Sequence, residues 1–407
     1  MTAYKRIHEG FEKAGLHPVS GATIEVKLEE RDAKVKRLDA MFAGDLRNGY
    51  RSLKEAYIDF TGRQPKWSDT EDFNREMLRE SATVQRSGHA DFFDSALRGL
   101  ESVSSSTWGF VLGDSITRRL VALYNEPSLQ DWQQIVSSIV PVNDFRTQRI
   151  ERMGGYGTLP IVNQAAPYNP LTSPSNEEVT YGIAKRGGTE DLTLETIAND
   201  DIRAVQRIPM LLGLAAARTL HNFVWELISP TTNANVYDST ALYIAGHANT
   251  AASALSSTSL EAVRVKLRKQ AAFGDTANIL SLTPKTLVVP PTLEPLAWQL
   301  VNSAVAIPSG APVGAAANQP NLHQGMNLVV KDYWDAQSTT GWVIVADPAM
   351  CPTIEVGFYQ GQQDPALFVQ NDPTVGSVFT NDKITWKLRH IYSGAVLDFR
   401  AFQRGNS

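Results

Sequence analysis

The feature that most limits how this chain can fold is a stretch from Met153 to about Thr196, broken throughout by glycine and proline. Gly154-Gly155-Tyr156-Gly157, Pro160, Pro167, Pro170, Pro174, Gly182 and Gly187-Gly188 punctuate it. Between the breakers, Thr158–Val162 and Val179–Lys185 read as strands, the second because Val179, Tyr181 and Ile183 alternate with other residues. A two-stranded extension has little core of its own and is marginal in water. Long excursions of this kind are usually functional or partner-bound. The expectation is an arm without a core at home, lying on a neighbouring subunit and stabilised collectively.

Directly after it, Asn199 to Ile228 predicts one long amphipathic helix, with Ile202, Val205, Ile208, Leu212, Leu220, Phe223 and Leu227 on its apolar stripe. Asn199 or Asp200 is placed to cap it and Asp201 to meet the positive end of its dipole. Pro209 should kink its first third, and Ser229-Pro230 ends it. At 1.5 Å per residue such a helix reaches roughly 45 Å, which reads as a structural spine.

Upstream, Ile24–Phe60 has helical spacing, Gly62 and Pro65 break it, and Glu71–Leu100 is helical again. Neither stretch is apolar enough to stand alone, so this region reads as an extension packed on something else. Trp108–Leu112 reads as a short strand, Ile116–Tyr124 as a helix, and Trp132–Val140 as a mostly apolar run. Downstream, a helix over Leu260–Phe273 leads to a buried strand, Thr286–Val289, and a helix over Leu293–Val301. Pro308–Pro320 reads as a surface loop. Leu328–Lys331, Trp342–Ala346, Ile354–Tyr359 and Lys383–His390 are strand-like, and a last run ends near Val396–Phe402. Helix and strand without regular alternation predicts α+β.

Several function classes lack their residues. The net charge of −5 over 407 residues, without a basic tail, argues against gripping nucleic acid specifically. The longest apolar run, Ile208–Ala217, is far short of the ~20 residues a membrane helix needs, and no secretory leader pattern is visible. Cys351 is the only cysteine, which excludes an internal disulfide and fits a reducing compartment. The seven histidines (His8, His17, His89, His221, His247, His323 and His390) are scattered, so no metal site is expected. His221 reads as a packed or snorkelling side chain and His247 as a loop residue with local hydrogen bonds. Gly154–Gly157 lacks the Lys-Ser/Thr of a phosphate loop. Glu177-Glu178 and Asp200-Asp201 read as loop or helix-start charges, and no cofactor is implied.

One catalytic rival stands out. Phe110-Val111-Leu112-Gly113-Asp114-Ser115-Ile116-Thr117 resembles the nucleophile block of GDSL-type esterases, which would make Ser115 the nucleophile. That family's Gly-x-Asn-Asp block and its late Asp-x-x-His are absent here. The plainer reading is a strand-to-helix turn with Asp114 or Ser115 capping the helix.

A wider resemblance runs through Leu53–Gly62, Thr193–Leu220, Ala241–Asn249, Leu282–Pro291, Ile354–Gly361 and Leu388–Phe402. In order and spacing these segments resemble Mu-like phage major head subunits and the capsid part of prohead protease fusions. The resemblance implies the Hong Kong 97 fold, which is α+β. Its parts would fall at 1–107 (N-terminal extension and arm), 108–149 (start of a peripheral domain), 150–196 (E-loop), 197–230 (spine helix), 231–370 (axial domain) and 371–407 (closing peripheral strands).

The implied function is an icosahedral shell of pentamers and hexamers around packaged double-stranded DNA, held without sequence-specific contacts. Scaffolding or decoration proteins and a portal would be its partners, and assembly would occur in the host bacterial cytoplasm. Tyr156, Leu159, Pro160, Tyr168, Tyr181, Lys185 and Arg186 are the candidate intersubunit contacts, with Asp200, Asp201, Pro209, Gly213 and Arg218 marking the spine. Some relatives crosslink an E-loop lysine to a neighbour's asparagine; Lys185 lies in that region, but no matching catalytic glutamate is recognised. An encapsulin-like compartment shell, enclosing protein cargo, is the alternative on the same fold.

Overall fold

The computed structural model describes residues 21–45, 47–64, 73, 77, 105–153, 159–164, 167–171, 176–193, 202–232, 234–305, 320–370, 380–381 and 383–406. The helices are α1 (Gly21–Ala43), α2 (Leu53–Thr61), α3 (Ser105–Tyr124), α4 (Ile202–Glu226), α5 (Ser257–Arg268) and α6 (Glu294–Asn302). The strands are β1 (Val136–Val142), β2 (Gln148–Met153), β3 (Asn176–Tyr181), β4 (Ala184–Thr193), β5 (Thr250–Ala251), β6 (Ala271–Ala272), β7 (Asp275–Ile279), β8 (Pro284–Val289), β9 (Asn327–Val330), β10 (Trp342–Ala346), β11 (Ile354–Tyr359), β12 (Ala366–Gln370), β13 (Lys383–Val396) and β14 (Phe402–Gly405). The class is α+β. Two compact units share the chain, and α4 and β13 each contribute to both.

The first unit draws on Met1–Tyr124, Gly187–Ala215 and Ala366–Arg389. Here α1 and α2 pack on α3, burying Leu38, Met41, Phe42, Tyr57, Ile116 and Leu120. The expected single helix over Ile24–Phe60 is two helices, for a local reason. Gly44 takes a left-handed φ of +83°, which only glycine adopts cheaply. The Ser52 hydroxyl then caps the next helix by accepting from the Glu55 amide at 2.9 Å. The expected strand at Trp108–Leu112 is instead the first half of α3. Val111, Leu112, Ser115, Ile116 and Leu120 are all buried on one helical face, so the period is helical and the apolar run misled. Residues of the helix expected over Glu71–Leu100 lie outside the described set, apart from Phe73 and Met77, which are buried. Gly213 on α4 approaches α3 so closely that a Cβ there would sit 2.8 Å from the Leu120 carbonyl oxygen.

The second unit draws on Asn125–Arg186, Ala216–Pro365 and His390–Ser407. One sheet has the order β5-β14-β10-β8-β9, with α5 against β14 and β10 and α6 against β8 and β9. Its central strand β10 is buried at every residue. Another pairs β1 parallel to β11 and β11 antiparallel to the second half of β13. The 371–407 segment is therefore divided: β13 joins one sheet and β14 the other.

Helix α4 is a little shorter than expected, about 37 Å at 1.5 Å per residue. Pro209 lies within it without ending it, and the cap candidates Asp200 and Asp201 lie outside the described residues. Its second half buries Leu220, Val224 and Trp225. A polar cluster pins that half: Asp131 accepts from the Trp225 indole N–H at 3.1 Å and ion-pairs with the Lys331 ammonium. His221 Nε2 lies 3.0 Å from the same carboxylate and 3.1 Å from the Lys331 Nζ. Burial holds the Lys331 amine below its ordinary pKa despite Asp131 beside it. His221 is thus a packed residue inside a polar network, and His247 has the local bonds expected of it, to Asp238 and the Leu242 carbonyl.

His390 generates a pH prediction. It is buried between Phe358 and Tyr392, with Nε2 2.8 Å from the Gln363 carbonyl oxygen. Burial, with a smaller push from Arg186, lowers its pKa to about 4 against the bonding to Gln363. A depressed histidine contributes stability that is present above the unfolded pKa near 6.5 and lost as pH falls through about 4. The loss should reach about 3 kcal/mol. Urea unfolding from pH 7 to pH 4 should therefore show a shallower decline for His390→Gln than for wild type; parallel declines would contradict the assignment.

Candidate functional site

The arm begins as a hairpin. Strands β2 and β3 pair antiparallel in unbroken register: Gln148 faces Tyr181, Ile150 faces Val179, Arg152 faces Glu177 and Met153 faces Asn176. Because strand side chains alternate, Ile150, Arg152, Glu177, Val179 and Tyr181 share one face and Arg149 and Glu178 the other. The second face carries an exposed ion pair, Arg149 to Glu178 at 3.3 Å.

The first face is covered by the second unit's own core. Val179, Tyr181 and Ile183 cluster with Val142, Ile391, Ala395 and Leu397, and Ile150 packs against them. The Tyr181 hydroxyl donates to Glu355 Oε1 at 2.9 Å, and the Ser138 hydroxyl donates to Oε2 of the same carboxylate at 2.9 Å. Burial and Glu355 together push the Tyr181 hydroxyl above its ordinary range. Gly357 makes the space: a Cβ there would lie 2.6 Å from the Tyr181 hydroxyl and 2.8 Å from a Val142 methyl.

One rung further out, the hairpin is held by charge. Arg152 Nη1 donates to Asp398 Oδ2 at 2.7 Å. Arg400 Nη1 donates to Glu177 Oε1 at 3.1 Å and to Asp398 Oδ1 at 3.0 Å. Arg152 Nε lies 3.7 Å from Glu177 Oε2. The Cys351 thiol donates to Asp398 at 3.4 Å, and the Arg400 guanidinium lies 4.5 Å from the Phe399 ring centroid. Asp398, Glu177 and Arg400 are buried, while Arg152 is about one-third exposed. Burial opposes both arginine charges, but Asp398 and Glu177 overcome it and hold both above their ordinary values. Burial, with the Asp398 charge, pushes the Cys351 thiol up, so it is a poor nucleophile.

Beyond Met153 and Asn176 the character changes. Leu159 is 77% exposed, Ile161 95% and Tyr168 87%, and Pro160 and Pro167 are exposed as well. The expected strand there is absent: residues 159–162 pair with nothing among the described residues. The sequence expectation of an arm with no core at home is therefore half corrected. The root is anchored on its own body, whereas Leu159, Ile161 and Tyr168 beyond it lack cover.

The candidate contact residues divide accordingly. Leu159, Pro160 and Tyr168 are exposed on the uncovered span, and Ile161, which the sequence reading passed over, is the most exposed of all. Tyr181 is internal at 7% exposure, because Gly357 leaves room for its ring and Glu355 accepts a hydrogen bond from its hydroxyl. Arg186 is used internally: its guanidinium donates to the Tyr392 carbonyl oxygen at 2.7 Å and lies between the Phe223 and Tyr392 rings. Lys185 is exposed, with its ammonium 4.9 Å from the Phe145 ring centroid. Arg218 is exposed on α4, and Tyr156 lies outside the described residues. Glu177, expected as a loop charge, is a buried strand residue because Arg400 neutralises it.

The esterase reading fails on geometry. Ser115 is buried in mid-helix, where its hydroxyl accepts from Arg118 Nη2 at 3.1 Å, and Asp114 pairs with Arg118 instead of capping. Among the described residues no group of three or more His, Cys, Asp or Glu is placed to hold a metal, and no helix is long and apolar enough to cross a membrane.

A sequence profile described as phage capsid protein matches residues 176–405, from β3 to β14. The chain belongs to the phage capsid protein family. It is a structural, shell-forming major capsid protein of a bacteriophage and not an enzyme. No curated protein sequence matches it significantly. Among solved structures, one from Mycobacterium phage Ogopogo is similar at 16% identity, covering 68% of this chain and 91% of that one, with a TM-score of 0.42. The capsid of cyanophage P-SCSP1u is similar at 10% identity over 68% and 87% of the two chains, with a TM-score of 0.44. The mature capsid of bacteriophage PhiM1 is similar at 13% identity over 68% and 86%, with a TM-score of 0.42.

Gly357→Ala tests the seating of the root. The added methyl must displace Tyr181 or Val142, so stability should fall by about 1–3 kcal/mol, as overpacking of a close-packed core does. Denaturant midpoints of the folded subunit measure it; an unchanged midpoint would show that Tyr181 has room to move.

Proposed function

We propose that this chain is the major head subunit of a tailed phage, arranged in the Hong Kong 97 manner and of the Mu-like head subunit kind. Its shell is icosahedral, built of pentamers and hexamers, and encloses double-stranded DNA without reading its sequence. Scaffolding or decoration proteins and a portal complete the particle, which assembles in the host bacterial cytoplasm. In this reading 150–196 is the E-loop, 197–230 the spine and 231–370 the axial domain.

The observation that carries the reading is the contrast between root and span. Leu159, Ile161 and Tyr168 stand almost fully in solvent on a segment whose two ends are fixed to a body. Apolar side chains held out in this way are covered when a partner is present, and a second copy is the partner a shell supplies. Heterologous contacts of this kind close into rings when the rotation permits.

The test removes the span and spares the root. Because Met153 and Asn176 are paired, a short glycine-containing turn can replace residues 154–175 and close the hairpin directly. A larger cut, from Gly155 to Gly188, would also delete the buried Val179, Tyr181 and Ile183 and confound folding with assembly. The shortened subunit should remain folded, with a near-wild-type unfolding midpoint, yet form no closed particles by negative-stain microscopy. Normal-sized particles from it would overturn the proposal. Wild-type particles carrying protein cargo and no nucleic acid would favour a compartment shell instead.

A further inference from the structure

We infer that the four-charge clasp of Arg152, Glu177, Asp398 and Arg400, buried but for Arg152, fixes the point and angle at which the arm leaves the body, and so acts as a positioning device for assembly. The inference rests on the shell reading for its second half only.

Three layers hold the covered face of the hairpin, and they differ in kind. Nearest the body, Tyr181 is hydrogen-bonded to Glu355; next, Ile150 and Val179 are packed in the apolar cluster; outermost, Arg152 and Glu177 meet Asp398 and Arg400. One residue further along each strand the ladder reaches its last pair, Met153 with Asn176. The clasp thus lies one pair short of the end of the described ladder. Apolar contacts are non-directional and tolerate sliding, whereas guanidinium–carboxylate pairs fix distance and orientation together. The clasp also joins both strands to one short segment, Asp398 to Arg400, so neither strand can turn without the other.

Its composition supports this role over simple stabilisation. Two guanidiniums face two carboxylates, so the cluster is neutral in sum and tolerable when buried. Buried ion pairs add little net stability compared with apolar replacements, but are costly to leave half-made. A hairpin needing only anchorage would be served by more residues like Val179.

The experiment uses the full chain with three variants: Arg152→Met, which keeps the stem and removes the charge; Arg152→Lys, which keeps the charge and loses the fork; and Arg152→Met with Glu177→Gln, which restores charge balance. Arg152 is chosen because its partial exposure makes the variants foldable. Amide hydrogen exchange is read at the outer rungs (151–153 and 176–178) and in β8 and β10. In Arg152→Met the outer rungs should exchange about tenfold faster while β8 and β10 are unchanged. Arg152→Lys should fall between it and wild type. The double variant should regain the unfolding midpoint but not the outer-rung protection, and its particles should be irregular in size. Unchanged outer-rung exchange in Arg152→Met, or an equal rise in β8 and β10, would overturn the pivot. Faster outer-rung exchange with uniform wild-type particles would overturn the role in assembly alone. Wild-type chains that form no particles would instead count against the shell reading.

Discussion

A carboxylate buried in an apolar interior must meet a counter-charge or give up its own. At the root of the arm two buried carboxylates, Asp398 and Glu177, meet Arg400 and Arg152. The rest of the arm depends on that satisfaction. The strands emerge in register, their covered face is seated by Tyr181 over Gly357, and the span beyond is free to present Leu159, Ile161 and Tyr168. The same logic recurs on the long helix, where Asp131, Lys331 and His221 pin α4 among apolar neighbours. In both places a small polar set fixes orientation while the surrounding hydrophobic surface supplies the bulk of the cohesion.

Much of the α+β frame was legible because local pattern and tertiary role agreed. Trp342–Ala346 and Ile354–Tyr359 are strands over the expected residues, since short, mostly apolar runs bounded by polar turns have few other uses. The long helix was readable from its stripe and from Ser229-Pro230. Trp108–Leu112 misled for the opposite reason. Five residues of apolar run carry no period, and only Ile116 and Leu120 further on reveal the helical face.

The candidate site was half legible. Glycine and proline announced the projection, and the alternation of Val179, Tyr181 and Ile183 announced a strand, but alternation does not say what covers its apolar face. The covering residues Glu355, Asp398 and Arg400 lie 174 to 246 positions from their hairpin partners. Such pairings have no signature in a single sequence. A faint clue existed in charged residues set within apolar segments, Glu355 in β11 and Asp398 between Leu397 and Phe399. Polar residues so placed are hydrogen-bonded when buried.

The separation of 223 positions between Glu177 and Arg400 also sets an order of events during synthesis. At roughly 5–20 residues per second, a ribosome needs on the order of ten to forty-five seconds to travel from one to the other. Throughout that interval the nascent hairpin has no guanidinium from Arg400 and no Asp398 to receive it. An unfinished chain therefore carries its projection unfastened, and a subunit acquires a defined reach only once those distal residues have left the exit tunnel. Translation itself separates the making of each copy from its first encounter with another.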